Sequence, residues 1–183
     1  MKKVLIPLAQ GCEELEAVTI MDLLTRAGIE VVSAGLDAQA VKCSRNTVII
    51  PSTSLDKILH EAFDLIVLPG GLPGADHLRD DERIIQLVQK QVELNKPVAA
   101  ICAAPKVLAK AGLLDNKQAT SFPKVLTDLN LATTIDTGSA LEIDGNIITS
   151  RGPGTAMDFT LELIEQLEGR EKRQEIEKQM VRD

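Results

Sequence analysis

Four short apolar runs, in which hydrophobic and polar residues do not alternate, constrain the fold of this chain more than any other feature. They cover residues 4–9, 31–34, 65–68 and 98–101. Such runs are typical of strands in a parallel sheet that helices cover on both faces. Helical patterns fill the intervals, and the first of them has apolar residues at Ala17, Ile20, Met21 and Leu24. This alternation predicts an α/β fold with a doubly wound, mainly parallel sheet and helices on both faces.

The rest of the chain adds smaller elements to this sheet. Residues 41–51 predict a short strand pair, and Asp144-Gly145 within residues 141–150 predicts a small antiparallel hairpin. Two further helices are expected over residues 155–167 and 170–180, the second as a charge-rich helix on the surface. Because 183 residues is a usual size for one core, we expect a single domain over residues 1–183.

Composition excludes several classes of function. The net charge of −7 and the absence of Trp and Tyr argue against a nucleic-acid partner, which needs cationic surface and favours stacking aromatics. No apolar stretch approaches the roughly 18 residues that span a bilayer, and no export signal is apparent. The three cysteines, Cys12, Cys43 and Cys102, are too few and too irregular for a disulfide framework or a metal site. A reducing, cytoplasmic location is therefore expected.

Cys102 follows the fourth apolar run directly and precedes a helical pattern over residues 106–111. This is the layout of a nucleophile elbow, and the flanking alanines at 99, 100, 103 and 104 leave room for a tight turn. A helix N-terminus there is expected to lower the pKa of the thiol. Spacing alone leaves a second interpretation open, in which Cys102 is an inert core cysteine.

Two other strand ends carry groups that could meet this thiol, because ligands bind beyond the carboxyl ends of parallel strands. Gly70 and Gly71 follow the third run, where a backbone without Cβ atoms can offer an N–H group to an oxyanion. After the first run, Glu16 heads an apolar helical row, so burial is expected to raise its pKa. Glu13 fits the helical period equally well, so periodicity does not choose between the two carboxylates.

Imidazole and nucleotide chemistry have little support in the sequence. The chain has two histidines, His60 and His77, and neither is adjacent to Cys102 along the sequence. A Cys-His-carboxylate triad is therefore not evident. The glycines match neither a Walker loop nor a dinucleotide fingerprint, so no organic cofactor is expected.

Four sequence motifs, taken together, are characteristic enough to indicate a protein family. They are GCEELE at residues 11–16, LPGG at 68–71, AICAAP at 100–105 and TSRGPGT at 149–155. In this order they resemble the ThiJ/PfpI superfamily, and within it the subgroup of Parkinson disease protein seven and its bacterial relatives. The resemblance runs from the first strand to the C-terminal helix.

This resemblance implies a flavodoxin-like homodimer without metal or organic cofactor. It implies that Cys102 is the nucleophile, that Glu16 is its protonated partner, and that the N–H groups of Gly71 and Ala103 form an oxyanion hole. It also implies a dimer interface near Arg26 and Arg45. Many relatives carry a histidine either directly after the cysteine or in a downstream loop ahead of a proline, where this chain has Ala103 and Phe122. This departure argues against a protease-like triad.

The function implied is cysteine-dependent defence against carbonyl and oxidative stress. The first hypothesis is a glutathione-independent glyoxalase that forms lactate from methylglyoxal, or a deglycase that hydrolyses glycated adducts. Its partners would be small reactive carbonyl compounds or glycated protein. The alternative is a redox-sensing stress protein or chaperone regulated by oxidation of Cys102. A third hypothesis, a hydrolase of glutamine-amidotransferase type, lacks the downstream histidine that it needs.

Overall fold

Strands and helices alternate along most of the chain in the computed structural model, which describes residues 1–182. The strands are β1 (Lys3–Leu8), β2 (Glu30–Gly35), β3 (Val41–Lys42), β4 (Val48–Ile49), β5 (Thr53–Ser54), β6 (Leu65–Leu68), β7 (Val98–Ile101), β8 (Gln118–Ala119), β9 (Ile135–Asp136), β10 (Leu141–Asp144) and β11 (Ile147–Ser150). The helices are α1 (Glu14–Arg26), α2 (Leu55–Ile58), α3 (Gly74–Asp80), α4 (Glu82–Glu93), α5 (Pro105–Lys110), α6 (Ala156–Glu168) and α7 (Arg170–Gln179). Asp183, the last residue of the predicted domain, lies outside the described residues.

The main sheet has seven strands in the order β10-β11-β7-β6-β1-β2-β5, and only the β10–β11 pair is antiparallel. The four apolar runs form the adjacent strands β7, β6, β1 and β2. The predicted doubly wound, mainly parallel sheet is thus confirmed. The chain winds outward from β1 in both directions, so the carboxyl ends of β1 and β6 flank the switch point where such sheets bind ligands.

Both faces of the sheet are covered, which explains why its central strands are apolar throughout. Every residue of β6 and β7 is buried. One core joins the sheet to α1, α6 and α7 around Phe159, which is fully buried. The other core joins the opposite face to helices α2 to α5, with Leu78, Ile84 and Val107 among its members. No helix within residues 1–182 is both long and apolar enough to cross a membrane.

Both predicted antiparallel pairs are present, but they differ in their place in the fold. Strands β3 and β4 form a separate two-stranded sheet, whereas β11 joins the main sheet parallel to β7. The charge-rich helix α7 is less solvated than expected, because Ile176 is fully buried against the core beneath α6. The short elements α2, α3, β5, β8 and β9 were not predicted, since their few residues carry no detectable period.

Candidate functional site

Cys102 lies on a tight turn between β7 and α5, as the elbow interpretation predicted. Its φ of +64° falls in the left-handed region that residues other than glycine rarely occupy. Hydrogen bonds hold the turn on both sides: the Cys102 N–H donates to the Ser150 carbonyl at 2.9 Å, and the Phe122 N–H donates to the Cys102 carbonyl at 2.8 Å. The surrounding structure therefore fixes the thiol in a conformation that a local segment would not keep.

Glu16 lies inside the protein next to this thiol. Glu16 is 0% exposed, and its Oε2 accepts a hydrogen bond of 2.8 Å from the Gly70 N–H. A Cβ atom on Gly70 would lie 2.7 Å from Cys102 Cβ and 2.8 Å from Glu16 Oε2, so this glycine permits the two side chains to approach. Within the described part of the chain, no group donates a hydrogen bond to the buried Glu16 Oε1. This oxygen is therefore available to share a proton with Cys102.

The structure distinguishes the two carboxylates that helical periodicity left equivalent. Glu13 caps the N-terminus of α1, where its Oε2 accepts a hydrogen bond of 2.8 Å from the Glu16 N–H. Its side chain lies toward the pocket, whereas Glu16 points into the core. Glu14 holds the β3–β4 loop against α1, since its carboxylate accepts from the backbone N–H groups of Arg45 and Thr47.

The acid–base properties of Glu16 and Cys102 depend on each other. Burial raises the pKa of Glu16 to about 7. Burial and the neighbouring Glu16 carboxylate raise the pKa of Cys102 to about 12. The pair therefore carries one negative charge, not two, at pH values just above neutrality. The expectation of a lowered thiol pKa from the helix N-terminus alone is wrong, because desolvation and the carboxylate outweigh that effect while Glu16 is ionised.

Two backbone amides counteract this increase. The backbone N–H groups of Gly71 and Ala103 near the Cys102 sulfur lower the pKa of the thiol. Gly71 has a φ of +89°, and a Cβ atom there would lie 2.3 Å from the Glu13 backbone nitrogen. A glycine is thus required for this amide to reach the site.

A surface pocket of about 240 Å³ opens at Cys102, which is 7% exposed. Apolar residues from separate connections form most of its wall, and polar side chains form the rest; the lining comprises Glu13, Ser44, Arg45, Gly71, Leu72, Cys102, Ala103, Phe122, Val125 and Pro153. No histidine among residues 1–182 lines it, since His60 and His77 border other surface depressions.

The two arginines expected at an interface occupy different surroundings. Arg26, in the last turn of α1, forms an ion pair of 2.7 Å with Asp22 and is exposed. Arg45 lies in the β3–β4 loop and lines the pocket. Sequence reasoning missed this contribution to the pocket, together with those of Phe122 and Val125. These residues lie in connections without periodicity, so no local pattern indicates that they approach Cys102, although the resemblance places a histidine of relatives at the position of Phe122.

The fold and this elbow define the class to which the protein belongs, a flavodoxin-like α/β protein with a cysteine at the carboxyl end of β7, next to the strand β6 that borders the switch point. The DJ-1/PfpI family matches residues 2–166, and the chain belongs to this family. The resemblance to the ThiJ/PfpI superfamily that the four motifs indicated is thereby confirmed.

Individual relatives match over almost the whole chain. Protein dj-1beta of Drosophila melanogaster is 45% identical over 97% of this chain and 95% of its own length. Its crystal structure has a TM-score of 0.94 at 43% identity and covers 100% of this chain and 98% of the other. Glutathione-independent glyoxalase DJR-1.2 of Caenorhabditis elegans is 34% identical over 92% of this chain and 89% of its own length. The structure of oxidized Toxoplasma gondii DJ-1 has a TM-score of 0.94 at 35% identity and covers 100% and 99% of the two chains.

Burial of Glu16 predicts a specific dependence of stability on pH. Its pKa is about 7 in the folded protein and 4.5 without burial, so the folded state binds more protons between these values. The contribution of the neutral carboxyl to stability is fully present below pH 4.5 and is lost as the pH rises through 7. It amounts to about 3 kcal/mol of unfolding free energy. Urea unfolding of wild type and Glu16→Gln between pH 4 and pH 8 should show the difference between them change by this amount, and parallel curves would disprove the assignment.

A substitution at Gly71 is expected to lower kcat, and the same substitution at Gly112 serves as its control. Both glycines have positive φ, at +89° and +72°, but a Cβ atom on Gly112 meets no atom within 4 Å. Gly71→Ala should displace the loop and weaken one oxyanion donor, which lowers kcat for the reaction proposed below by about 100-fold. Gly112→Ala should cost only backbone strain and leave kcat unchanged. Equal kcat values for the two variants would argue against a role for the Gly71 amide.

Proposed function

We propose that this protein is a glutathione-independent glyoxalase that converts methylglyoxal and related α-oxoaldehydes into 2-hydroxy acids. The observation that carries the proposal is the pairing of an elbow thiol with a buried carboxyl that has one oxygen free of hydrogen bonds. The name of the nematode relative supports the same reaction. Membership in the family alone would not select it, because one fold supports many functions.

The reaction begins with attack of the Cys102 thiolate on the aldehyde carbon of methylglyoxal. The aldehyde oxygen becomes an oxyanion, which the N–H groups of Gly71 and Ala103 stabilise until it takes the proton of Glu16 and leaves Glu16 as a carboxylate. This step requires the proton of the thiol to pass to the Glu16 carboxylate, so that the single negative charge of the pair lies on sulfur when the aldehyde carbon is attacked. A protonated Glu16 removes the repulsion that raises the pKa of Cys102 and donates a hydrogen bond to the thiolate instead.

The second stage moves a proton between adjacent carbons. After the thiol has added, the Glu16 carboxylate removes the hydrogen from the former aldehyde carbon and gives an enediol. Glu16 then returns this proton to the neighbouring carbon, while the hydroxyl proton of the former aldehyde carbon passes to the oxygen of that neighbour, which leaves a lactoyl thioester on Cys102. Water hydrolyses this thioester to lactate and free Cys102. The sum is methylglyoxal plus water giving lactate, with no net oxidation and no cofactor.

Deglycation is a more specific version of the proposed activity, and it would use the same Cys102 and Glu16 side chains. An early adduct of methylglyoxal on an amine or thiol carries the same three carbons, and it could enter the pocket from the exposed side of Cys102. The distinguishing experiment supplies either free methylglyoxal without glutathione or a purified adduct, and measures lactate directly in a buffer without amines. If the rate of lactate formation depends only on the concentration of free methylglyoxal, the protein is a glyoxalase. Faster lactate formation from the adduct identifies a deglycase, and no lactate from either overturns the proposal.

A second candidate function, redox sensing at Cys102, has its own support. The 7% exposure of Cys102 admits a peroxide, and a protonated Glu16 could donate a hydrogen bond to a sulfinate oxygen. The oxidized state named for the Toxoplasma gondii structure agrees with this candidate. Intact mass after mild peroxide should show two added oxygens on Cys102. Oxygen addition mainly at Cys12 or Cys43 would count against it.

We also propose that the chain acts as a single-domain homodimer in the cytoplasm. Exposed apolar side chains are present on α1, at Leu15 and Val18, and in or next to β4, at Val48 and Ile50. Glu14 links the β3–β4 loop to α1, so Arg45 and the elements that carry these side chains lie close together. Three free cysteines support a reducing location.

A further inference from the structure

Two cysteines that take no part in the proposed reaction lie next to each other inside the protein. The sulfur atoms of Cys12 and Cys43 are 3.5 Å apart, although 31 positions separate the residues in the sequence. Both are free thiols, and they are 0% and 4% exposed. A disulfide bond measures about 2.05 Å, so the sulfur atoms need to approach by only about 1.5 Å to form one.

The backbones of the two cysteines are already fastened together. The Ser44 N–H donates to the Cys12 carbonyl at 2.8 Å, and the Gly11 N–H donates to the Lys42 carbonyl at 2.8 Å. These bonds flank the two thiols and hold the segments after β1 and after β3 side by side. The close approach of the sulfur atoms is therefore built into the fold, and rotation of the side chains with small backbone shifts would complete it.

We propose that Cys12 and Cys43 are a reversible modification site, which peroxide converts into an intramolecular disulfide. The Cys43 sulfur, the more exposed of the two, attacks one peroxide oxygen and becomes a sulfenic acid as the first water leaves. The Cys12 sulfur then attacks this sulfur, the S–S bond forms and the second water leaves. Two thiols and one hydrogen peroxide thus give one disulfide and two waters, and a dithiol reductant restores the thiols.

The surroundings determine how fast this bond forms and what it constrains. Burial raises the pKa of both thiols, so the reaction should be slow at neutral pH and faster in alkali. A Cβ atom on Gly71 or Gly74 would lie within 2.6 Å of the Cys12 backbone, so this segment packs tightly against the loop that carries the oxyanion amide. Glu13, Ser44 and Arg45, which follow the two cysteines, line the pocket. The disulfide would therefore join two segments whose next residues line the pocket.

The test uses the Cys102→Ser chain, in which the third thiol is absent. Hydrogen peroxide at pH 7 and pH 9 should remove two hydrogens from the intact mass of the monomer, and non-reducing peptide mapping should link residues 12 and 43. Dithiothreitol should reverse the loss. The matched controls Cys12→Ala and Cys43→Ala, each made in the same background and checked by thermal unfolding, should not lose the two hydrogens.

Three results would overturn this inference: an unchanged mass at both pH values, oxygen added to Cys12 or Cys43 without a link, or a link between two chains. Because the Cys102→Ser chain is expected to be inactive as a glyoxalase, the outcome does not depend on the proposed function. Conversely, failure of wild type to form lactate would leave the disulfide result intact.

Discussion

Cys102→Ser should reduce lactate formation from methylglyoxal to the uncatalysed rate, a loss of at least about 1,000-fold in kcat/KM. The serine hydroxyl has the same shape and reaches the same place, but it ionises far less readily than the thiol. Burial beside Glu16, which raises the pKa of Cys102 to about 12, would penalise an alkoxide even more. Direct measurement of lactate in an amine-free buffer gives the rate.

Cys43→Ser is the matched control for this variant. It makes the same substitution at a buried cysteine that does not line the pocket, and it should keep the wild-type rate. Thermal unfolding of both variants checks that each is folded. If the Cys102→Ser protein forms lactate as fast as the control, the nucleophile is elsewhere and the proposed mechanism is wrong.

Glu16→Gln should have the second largest effect, a loss of about 100- to 10,000-fold in kcat. The glutamine carbonyl can still accept the hydrogen bond from Gly70, so the loop should keep its place. What the amide cannot do is take a proton from one carbon and return it to the next. The wild-type rate should rise with pH through about 7, as the Glu16–Cys102 pair loses its first proton, and this limb should vanish in the variant.

Alkylation of Cys102 separates proton transfer from activation of the thiol. Without the carboxylate, the repulsion that raises the pKa of Cys102 is absent, so iodoacetamide should label Cys102 in Glu16→Gln at least as fast as in wild type above pH 8. Lactate formation should nevertheless collapse. If Glu16→Gln keeps both the wild-type rate of lactate formation and its rise with pH through about 7, Glu16 has no role in the mechanism.

The sheet could be predicted because strands that are buried on both faces appear in the sequence as uninterrupted apolar runs. Strands β6 and β7 begin and end at the predicted residues, since every position in them is buried and apolar. The elbow was predictable for a similar reason, because Cys102 stands between an apolar run and a helical pattern with alanines around it. Its pKa was not, because a partner 86 positions earlier in the chain sets it.

What could not be predicted depends on contacts between distant connections. Helical period made Glu13 and Glu16 equivalent, and the structure separates them by which one faces the core. Phe122 reaches the pocket through a hydrogen bond between its backbone and Cys102, which no local pattern encodes. The proximity of Cys12 and Cys43 likewise follows from the way the β3–β4 loop lies against the end of β1.

The most direct test of catalysis counts lactate molecules formed per protein chain when wild type meets excess methylglyoxal without glutathione. A reactive carbonyl can also be consumed by simple addition to lysine, arginine and cysteine side chains, which yields no lactate and stops when those groups are used. If the Cys102–Glu16 pair is catalytic, lactate should accumulate to many equivalents of protein and account for the methylglyoxal lost. Loss of methylglyoxal that ends after a few equivalents, without matching lactate, would contradict the account.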